Sequence, residues 1–186
     1  VATLASAFAL GAVQAQPYPE KSIRLVVPWP AGGAADAVGR AVAQSLTVEL
    51  GKTVFVENVA GAGGNIGTQQ FVRSAPDGYT LLLATSSTNA ANPHLYKKTG
   101  FDAIKDFVPV AAVAVIPSVL VVPAASKYNT PTDLVAAAKA SPGRLSYGSG
   151  GIGASAHLAG ELFKSLTKTD ITHVPYKGSG PALTDV

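Results

Sequence analysis

The stretch SIRLVVPWPAGGAADAVGRAVAQSLTVELGKTVFVE, residues 22–57, decides the fold class. Ile23 to Val27 is a short β-branched run, ended by Pro28-Trp29-Pro30-Ala31-Gly32-Gly33. Val38, Val42, Leu46 and Leu50 then recur at fourfold spacing, the period of one helix face, with Gly51 as a C-terminal stop. Thr53 to Glu57 is strand-like again. Working outward, the loop Gly61-Ala62-Gly63-Gly64-Asn65 leads to a short helix expected over Thr68 to Ser74. Pro76-Asp77-Gly78 is a turn, and Thr80 to Thr85 is a buried strand. Strand, helix, strand, helix, strand in this order implies a parallel sheet with helices on its faces.

After Asp106 the pattern changes. Phe107 to Val115 and Ser118 to Val122 are strand-like runs separated by Pro117, which places a crossing into a second domain there. Thr130-Pro131-Thr132-Asp133 is a strong helix start, with Thr as N-cap, Pro at the first helical position and an acid at the third. Strands are expected at Leu145 to Ser149 and Ile171 to Tyr176, with a helix over Ser155 to Leu166 between them and another beginning near Pro181. The sequence opens on Val1 rather than Met and stops at Val186 inside that last helix, so it is expected to be a piece of a longer chain.

Composition narrows the function classes. The 186 residues are 47% hydrophobic and only 13% charged, too apolar for a disordered chain. The net charge is +3 with Lys and Arg scattered singly, which argues against a nucleic-acid partner. Cysteine is absent, which excludes disulfides, thiolate metal sites and cysteine nucleophiles. Val1 to Ala15 carries no charge, is too short to span a bilayer, and ends in small residues at Val13 and Ala15. It has the features of a secretory signal core cut before Gln16. Residues 1–16 are therefore expected to be signal peptide, residues 17–116 a first α/β domain and 117–186 a second.

Three glycine-rich loops each follow a strand and precede a helix: 31–36, 61–67 and 148–153. In an open parallel sheet that is the ligand edge. Glycine lets backbone N–H groups approach a bound group, and a helix N-terminus adds about half a positive charge, so such loops favour anions. Nucleotide readings fail on geometry. Gly148 to Gly153 fits G-x-G-x-x-G, but the acid expected about 20 residues on is represented only by Asp170, at the wrong end of its strand. Gly51-Lys52-Thr53 follows a helix and precedes a strand, the reverse of a phosphate-binding loop. Gly153-Ala154-Ser155-Ala156-His157 misses the final Gly of a nucleophile elbow, and on a helix Ser155 and His157 point about 200° apart. His94, His157 and His173 show no metal-ligand spacing.

The residues resemble a family. YPEKSIRLVVPWPAGGAADAVGR (18–40), VENVAGAGGNIGT (56–68), PDGYTLLLAT (76–85), the Asp106 to Val110 run, GRLSYGSGGIGASAHLAGELF (143–163) and THVPYKGSGPALTD (172–185) occur in family order. Together they are similar to the extracytoplasmic solute-binding proteins of tripartite tricarboxylate transporters, the Bug or TctC family. The resemblance implies a two-domain, Venus-flytrap periplasmic binding protein with parallel-rich sheets, its second domain incomplete here. It implies a monomer without cofactor or catalytic activity. Its ligand would be a small carboxylate (a di- or tricarboxylate, an acidic amino acid or an aromatic acid), delivered to a membrane permease of two subunits.

The first-domain carboxylate loop implied by the resemblance is Ala31, Gly32, Gly33 and Asp36, with Ser86 and Ser87 as a further cleft position. The opposing loop is Ser149, Gly150, Gly151, Gly153, Ala154 and Ser155. Relatives often carry Ser where this chain has Ala154, which removes one hydroxyl donor. Gly33 is expected in a conformation open only to glycine. Asp36 either caps a helix over Ala37 to Leu50 or touches the ligand, and Ser155 either reaches the ligand or caps its own helix. The two helix N-termini would clamp one anion. The competing readings are an exported ligand sensor for a membrane signalling partner and an exported α/β hydrolase.

Overall fold

The computed structural model describes residues 17–186, so the expected signal segment lies outside the described residues. The first sheet is built from β1 (Ile23–Val27), β2 (Val54–Asn58) and β3 (Thr80–Leu82) in the order β2-β1-β3, all parallel. Leu25 pairs with Val56 on one side and Leu81 on the other, so β1 is central and buried on both faces. Its uninterrupted apolar run is what such a position demands.

The helix α1 (Ala34–Leu50) packs on this sheet through the fourfold series, with Val38, Val42, Leu46 and Leu50 against Ile23, Leu25, Val27 and Val54. Gly39 permits the close crossing: a Cβ there would sit 2.7 Å from Val27 Cγ2. Gly51 ends the helix in the left-handed region at φ +63°, as its place in the sequence implies. The helix begins at Ala34 rather than Ala37, because Gly33 is already the extended N-cap. The second helix, α2 (Asn65–Val72), likewise starts three residues earlier than the expected Thr68.

Beyond β3, a wide turn over Ser87–Ala91 runs into the single-turn helix α3 (Asn92–Leu95). The second group of elements comprises α4 (Pro131–Ala140), β4 (Ser146–Ser149), α5 (Ser155–Thr167), β5 (Thr172–Pro175) and α6 (Ser179–Asp185). The strands β4 and β5 pair in parallel, with Tyr147 opposite His173. The helix α4 starts in a capping box: Thr130 Oγ1 accepts from Asp133 N at 3.1 Å, and Asp133 Oδ2 accepts from Thr130 N at 3.0 Å.

One expectation fails. Phe107 to Val115 and Ser118 to Val122 form no strand; the backbone there makes no ladder, and Val115 is 94% exposed. The β-branched composition is real, but a strand exists only beside a partner, and no described strand runs alongside. No described helix is long and apolar enough to cross a membrane.

Candidate functional site

The site is assembled from the loops at the carboxyl ends of the strands. After β1, Pro28 and Pro30 remove two backbone donors, and Gly32 turns the chain at φ +82°. Gly32 N–H donates to Asp36 Oδ2 at 2.9 Å, and Arg40 Nε donates to the same oxygen at 3.0 Å. Arg40 also reaches Asn58 Oδ1 at 3.3 Å, and Asn58 Nδ2 holds the Trp29 carbonyl at 3.0 Å. Asp36 is therefore the third residue of α1 and not its N-cap, which corrects one of the two readings its sequence position allowed. It reaches back to fasten the loop, while its Oδ1 is buried without a partner.

Gly33, at φ −88°, occupies a conformation open to any residue, contrary to expectation; the glycine-specific turn is at Gly32. Since Gly33 is the N-cap, no side chain caps the first amides of α1.

The hydrogen bonds from Arg40, and then from Gly32 N–H, hold the Asp36 carboxyl at about pKa 2. The folded protein thus favours the ionised form relative to the unfolded chain, whose carboxyl titrates near 3.8. Its contribution to stability is complete above about pH 4 and is lost as the pH falls toward 2. Arg40 is more than half exposed, so solvent screening leaves about 1–2 kcal/mol. Asp36→Asn is expected to flatten that part of the acid limb, measured as urea midpoints between pH 5 and pH 2. An unchanged limb would contradict the assignment.

The second loop takes four consecutive residues through positive φ, from Gly61 at +136° to Gly64 at +91°. This sharp path lets α2 start beside Pro28. Asn65 and Thr68 are buried at its beginning, and Thr68 Oγ1 donates to Gly64 O at 2.9 Å. No side chain caps α2 either. Ser86 is exposed and Ser87 buried where the chain leaves the first sheet.

On the other side, Ser149 ends β4 with its hydroxyl already engaged. It lies 2.7 Å from His173 Nε2 and accepts from Gly151 N at 3.2 Å, and the residue is 2% exposed. Gly151 and Gly153 turn the loop at φ +125° and +84°. Gly153 N–H donates to His157 Nδ1 at 3.2 Å, and the His157 and His173 rings lie 4.2 Å apart. Burial, and then the neighbouring His157, push His173 below the ordinary imidazole range, favouring its neutral form. Tyr147 stacks on His173 and donates to Glu161 at 2.8 Å. Ala154 is the N-cap and Ser155 the first residue of α5, so Ser155 does not cap its helix. Its exposed side chain is free of that duty.

The two sets of loops meet. Pro30 packs on Gly178, where a Cβ would come within 2.8 Å of Pro30 Cγ, and Gly178 N–H donates to Gly150 O at 3.1 Å. Tyr96 Oη donates to Ile152 O at 3.0 Å. The loops after the strands of the first sheet and the glycine loop ahead of α5 thus come into contact at these residues. Asn92, Tyr96 and Gly178 lie there without having been singled out, and His173, weighed only as a metal ligand, lies beneath Ser149. Only the YKGSG run around Gly178 gave a signal in the sequence. Across segments 28–36, 61–67, 86–92 and 148–157 Asp36 is the only formally charged side chain, and Arg40 pairs with it. Within these segments the donors open to an anion are neutral, amides at the starts of α1 and α5 and hydroxyls, while the exposed Lys177 adjoins Gly178.

Comparison with known proteins agrees with this architecture. The family model described as tripartite tricarboxylate transporter family receptor matches residues 38–186. Protein BugT of Bordetella pertussis is 41% identical over 98% of this chain and 56% of its own. An R. palustris protein solved with adipate superposes with a TM-score of 0.88 at 36% identity, covering 91% of this chain and 56% of that one. MatC from Rhodopseudomonas palustris, solved with bound malate, gives a TM-score of 0.83 at 30% identity, covering 90% and 57%. The chain spans about half the length of the curated relatives it matches. Its α/β fold with parallel sheets is that of the periplasmic binding proteins. The chain belongs to the tripartite tricarboxylate transporter receptor family.

Proposed function

We propose that the protein is a periplasmic solute receptor. It captures a small carboxylate between a first lobe, 17–116, and a second, 117–186, and hands it unchanged to a membrane permease. What supports this is the pair of helix N-termini, at α1 and α5, that no side chain caps, in two groups of elements whose loops touch at Tyr96 and Ile152 and at Pro30 and Gly178. An uncapped N-terminus receives an anion through its free amides and its dipole. The adipate and malate held by two solved relatives point to the same ligand class. In this reading Ala31 and Gly33 offer backbone donors while Gly32 and Asp36 shape their loop. Ser86 and Ser87 line the cleft, and Gly150, Gly151, Gly153, Ala154 and Ser155 close it from the second lobe. Ser149 supports them from beneath through its bond to His173.

Trp29 is the one tryptophan of these 186 residues and lies in the first-lobe loop, so a fluorescence change that Trp29→Phe abolishes reports ligand arrival there. Titration of the natural full-length protein with adipate and with malate is expected to give a saturable change with at least one of them. At 100 times its dissociation constant, that ligand should add about 2.7 kcal/mol of stability. Failure of every di- and tricarboxylate, acidic amino acid and aromatic acid to do either would overturn the reading.

Ser155→Ala should weaken binding about tenfold or more, the worth of one hydrogen bond to a charged group. It should leave thermal stability unchanged, because the hydroxyl caps nothing. Loss of stability with unaltered affinity would return Ser155 to a structural role.

A further inference from the structure

Asn92 begins α3 in the first group of elements and is completely buried. Its Nδ2 donates to Gly63 O and to Asn65 Oδ1, both at 2.8 Å, which spends both donor hydrogens within that group. Its Oδ1 accepts no hydrogen bond. This oxygen instead occupies the space that a Cβ on Gly153 would fill, in the glycine loop ahead of α5. One helical turn on, Tyr96 Oη donates to the carbonyl of Ile152, the residue before Gly153. Gly63 forms the floor, since a Cβ there would lie 2.7 Å from Ile152 O and 2.9 Å from Tyr96 Oη. Two successive residues of the second-lobe loop are therefore seated on Gly63, Asn92 and Tyr96 of the first.

The composition of this seat is informative. A buried carbonyl oxygen without a donor is costly, and one N–H in place of the Gly153 Cα–H would have satisfied it. A Cα–H against an oxygen is a weak contact, and a single neutral hydroxyl bond adds only modestly to it. That combination favours the docked arrangement without fixing it, as a contact that must release requires. On the second-lobe side, Gly153 N–H is held by His157 Nδ1, so docking of the loop is transmitted to α5.

We propose that Asn92 and Tyr96 are positioning residues that form a ligand-independent latch. They set the fraction of the protein that is closed, and through it the affinity for every ligand. Neither is assigned a contact to the bound molecule. A group that stabilises only the closed state scales all apparent affinities by the same closed fraction and leaves their ranking unchanged. A group that touches the ligand changes the ranking. The latch rests on the carboxylate-receptor reading for its affinity readout alone; its effect on closure is measurable without ligand.

These 186 residues contain no cysteine, so Lys52→Cys and Lys139→Cys, both at exposed positions in different groups of elements, place two dyes for single-molecule energy transfer once any cysteine in the rest of the full-length protein is replaced by serine. In the ligand-free full-length protein, Tyr96→Phe should lower the closed-to-open ratio about five- to tenfold while the melting temperature holds. Titrated with adipate and with malate, the variant should show dissociation constants raised by one common factor for whichever of them the parent binds. A ligand-free distance distribution that Tyr96→Phe does not move overturns the latch, and so do unequal factors for the two acids. If the parent binds no carboxylate of the proposed classes, the receptor reading fails, and the latch is judged on the ligand-free distributions. Asn92→Asp, which sets a carboxylate against Gly63 O and Asn65 Oδ1, should shift the distribution in the same direction.

Discussion

Replacing Gly67 with valine is expected to cost about 3 kcal/mol and to lower the melting temperature by roughly 6–12 °C. A Cβ at this position would lie 2.5 Å from Val59 O and 2.9 Å from Pro28 Cα. Both neighbours are backbone, at the ends of β2 and β1, so neither can swing aside as a side chain would. The helix α2 must move away, and with it the fully buried Thr68 and the Asn65 bond to Asn92. Valine adds a β-branched side chain to a helix of eight residues. Native domains are stable by only about 5–15 kcal/mol, so the loss is a large share of the whole. Because the Pro28 to Gly33 loop rests on the same contact, ligand-induced stabilisation should fall as well. A thermal melt within a degree of the parent would show that α2 is not seated as described.

The second large effect is expected at Gly153. Gly153→Val should reduce carboxylate affinity by a hundredfold or more while far-ultraviolet circular dichroism stays close to that of the parent. The residue sits at φ +84°, where a β-branched side chain is strained by about 1–3 kcal/mol. Its new Cβ would also overlap Asn92 Oδ1, in a wall with no room to yield because Asn92 is bonded twice on its far side. The loop can relieve both problems only by lifting away from the first lobe. That separates the two amide sets which, in the proposed function, must reach one ligand together. Calorimetric titration decides it, and an affinity within threefold of the parent would mean that this loop need not approach α3.

The sequence was most legible where structure is decided locally. The apolar run Ile23 to Val27 became the central strand, Gly51 became a left-handed helix stop, and Thr130 became the expected N-cap, with Asp133 at the third position. Each of these depends on residues within one or two turns of each other. Between adjacent glycines the sequence could not choose: Gly32 and Gly33 are chemically identical, and the Asp36 carboxylate, by holding Gly32 N–H, places the positive φ on the first. The run from Phe107 to Val122 misled because β-branched composition marks a willingness to pair, whereas pairing requires a neighbour that composition does not supply. Contacts between distant segments were invisible for a related reason. Ser149 meets His173 across 24 residues of sequence, and Tyr96 meets Ile152 across 56. The sequence nonetheless marked the loops that meet, because glycine clusters between strand and helix are sparse enough to stand out. It did not mark Asn92 and Tyr96, ordinary residue types at the start and just past the end of a helix of one turn.

The central claim is that the two glycine-loop sets grip one carboxylate, and amide hydrogen exchange with and without ligand tests it most directly. With adipate or malate bound to the full-length protein, exchange should slow by at least tenfold at Ala31 and Gly33 and, at the same ligand concentration, at Ser155 and Ala156. The two sets should follow one binding curve. Tight binding that protects only one of them, or neither, would contradict the account.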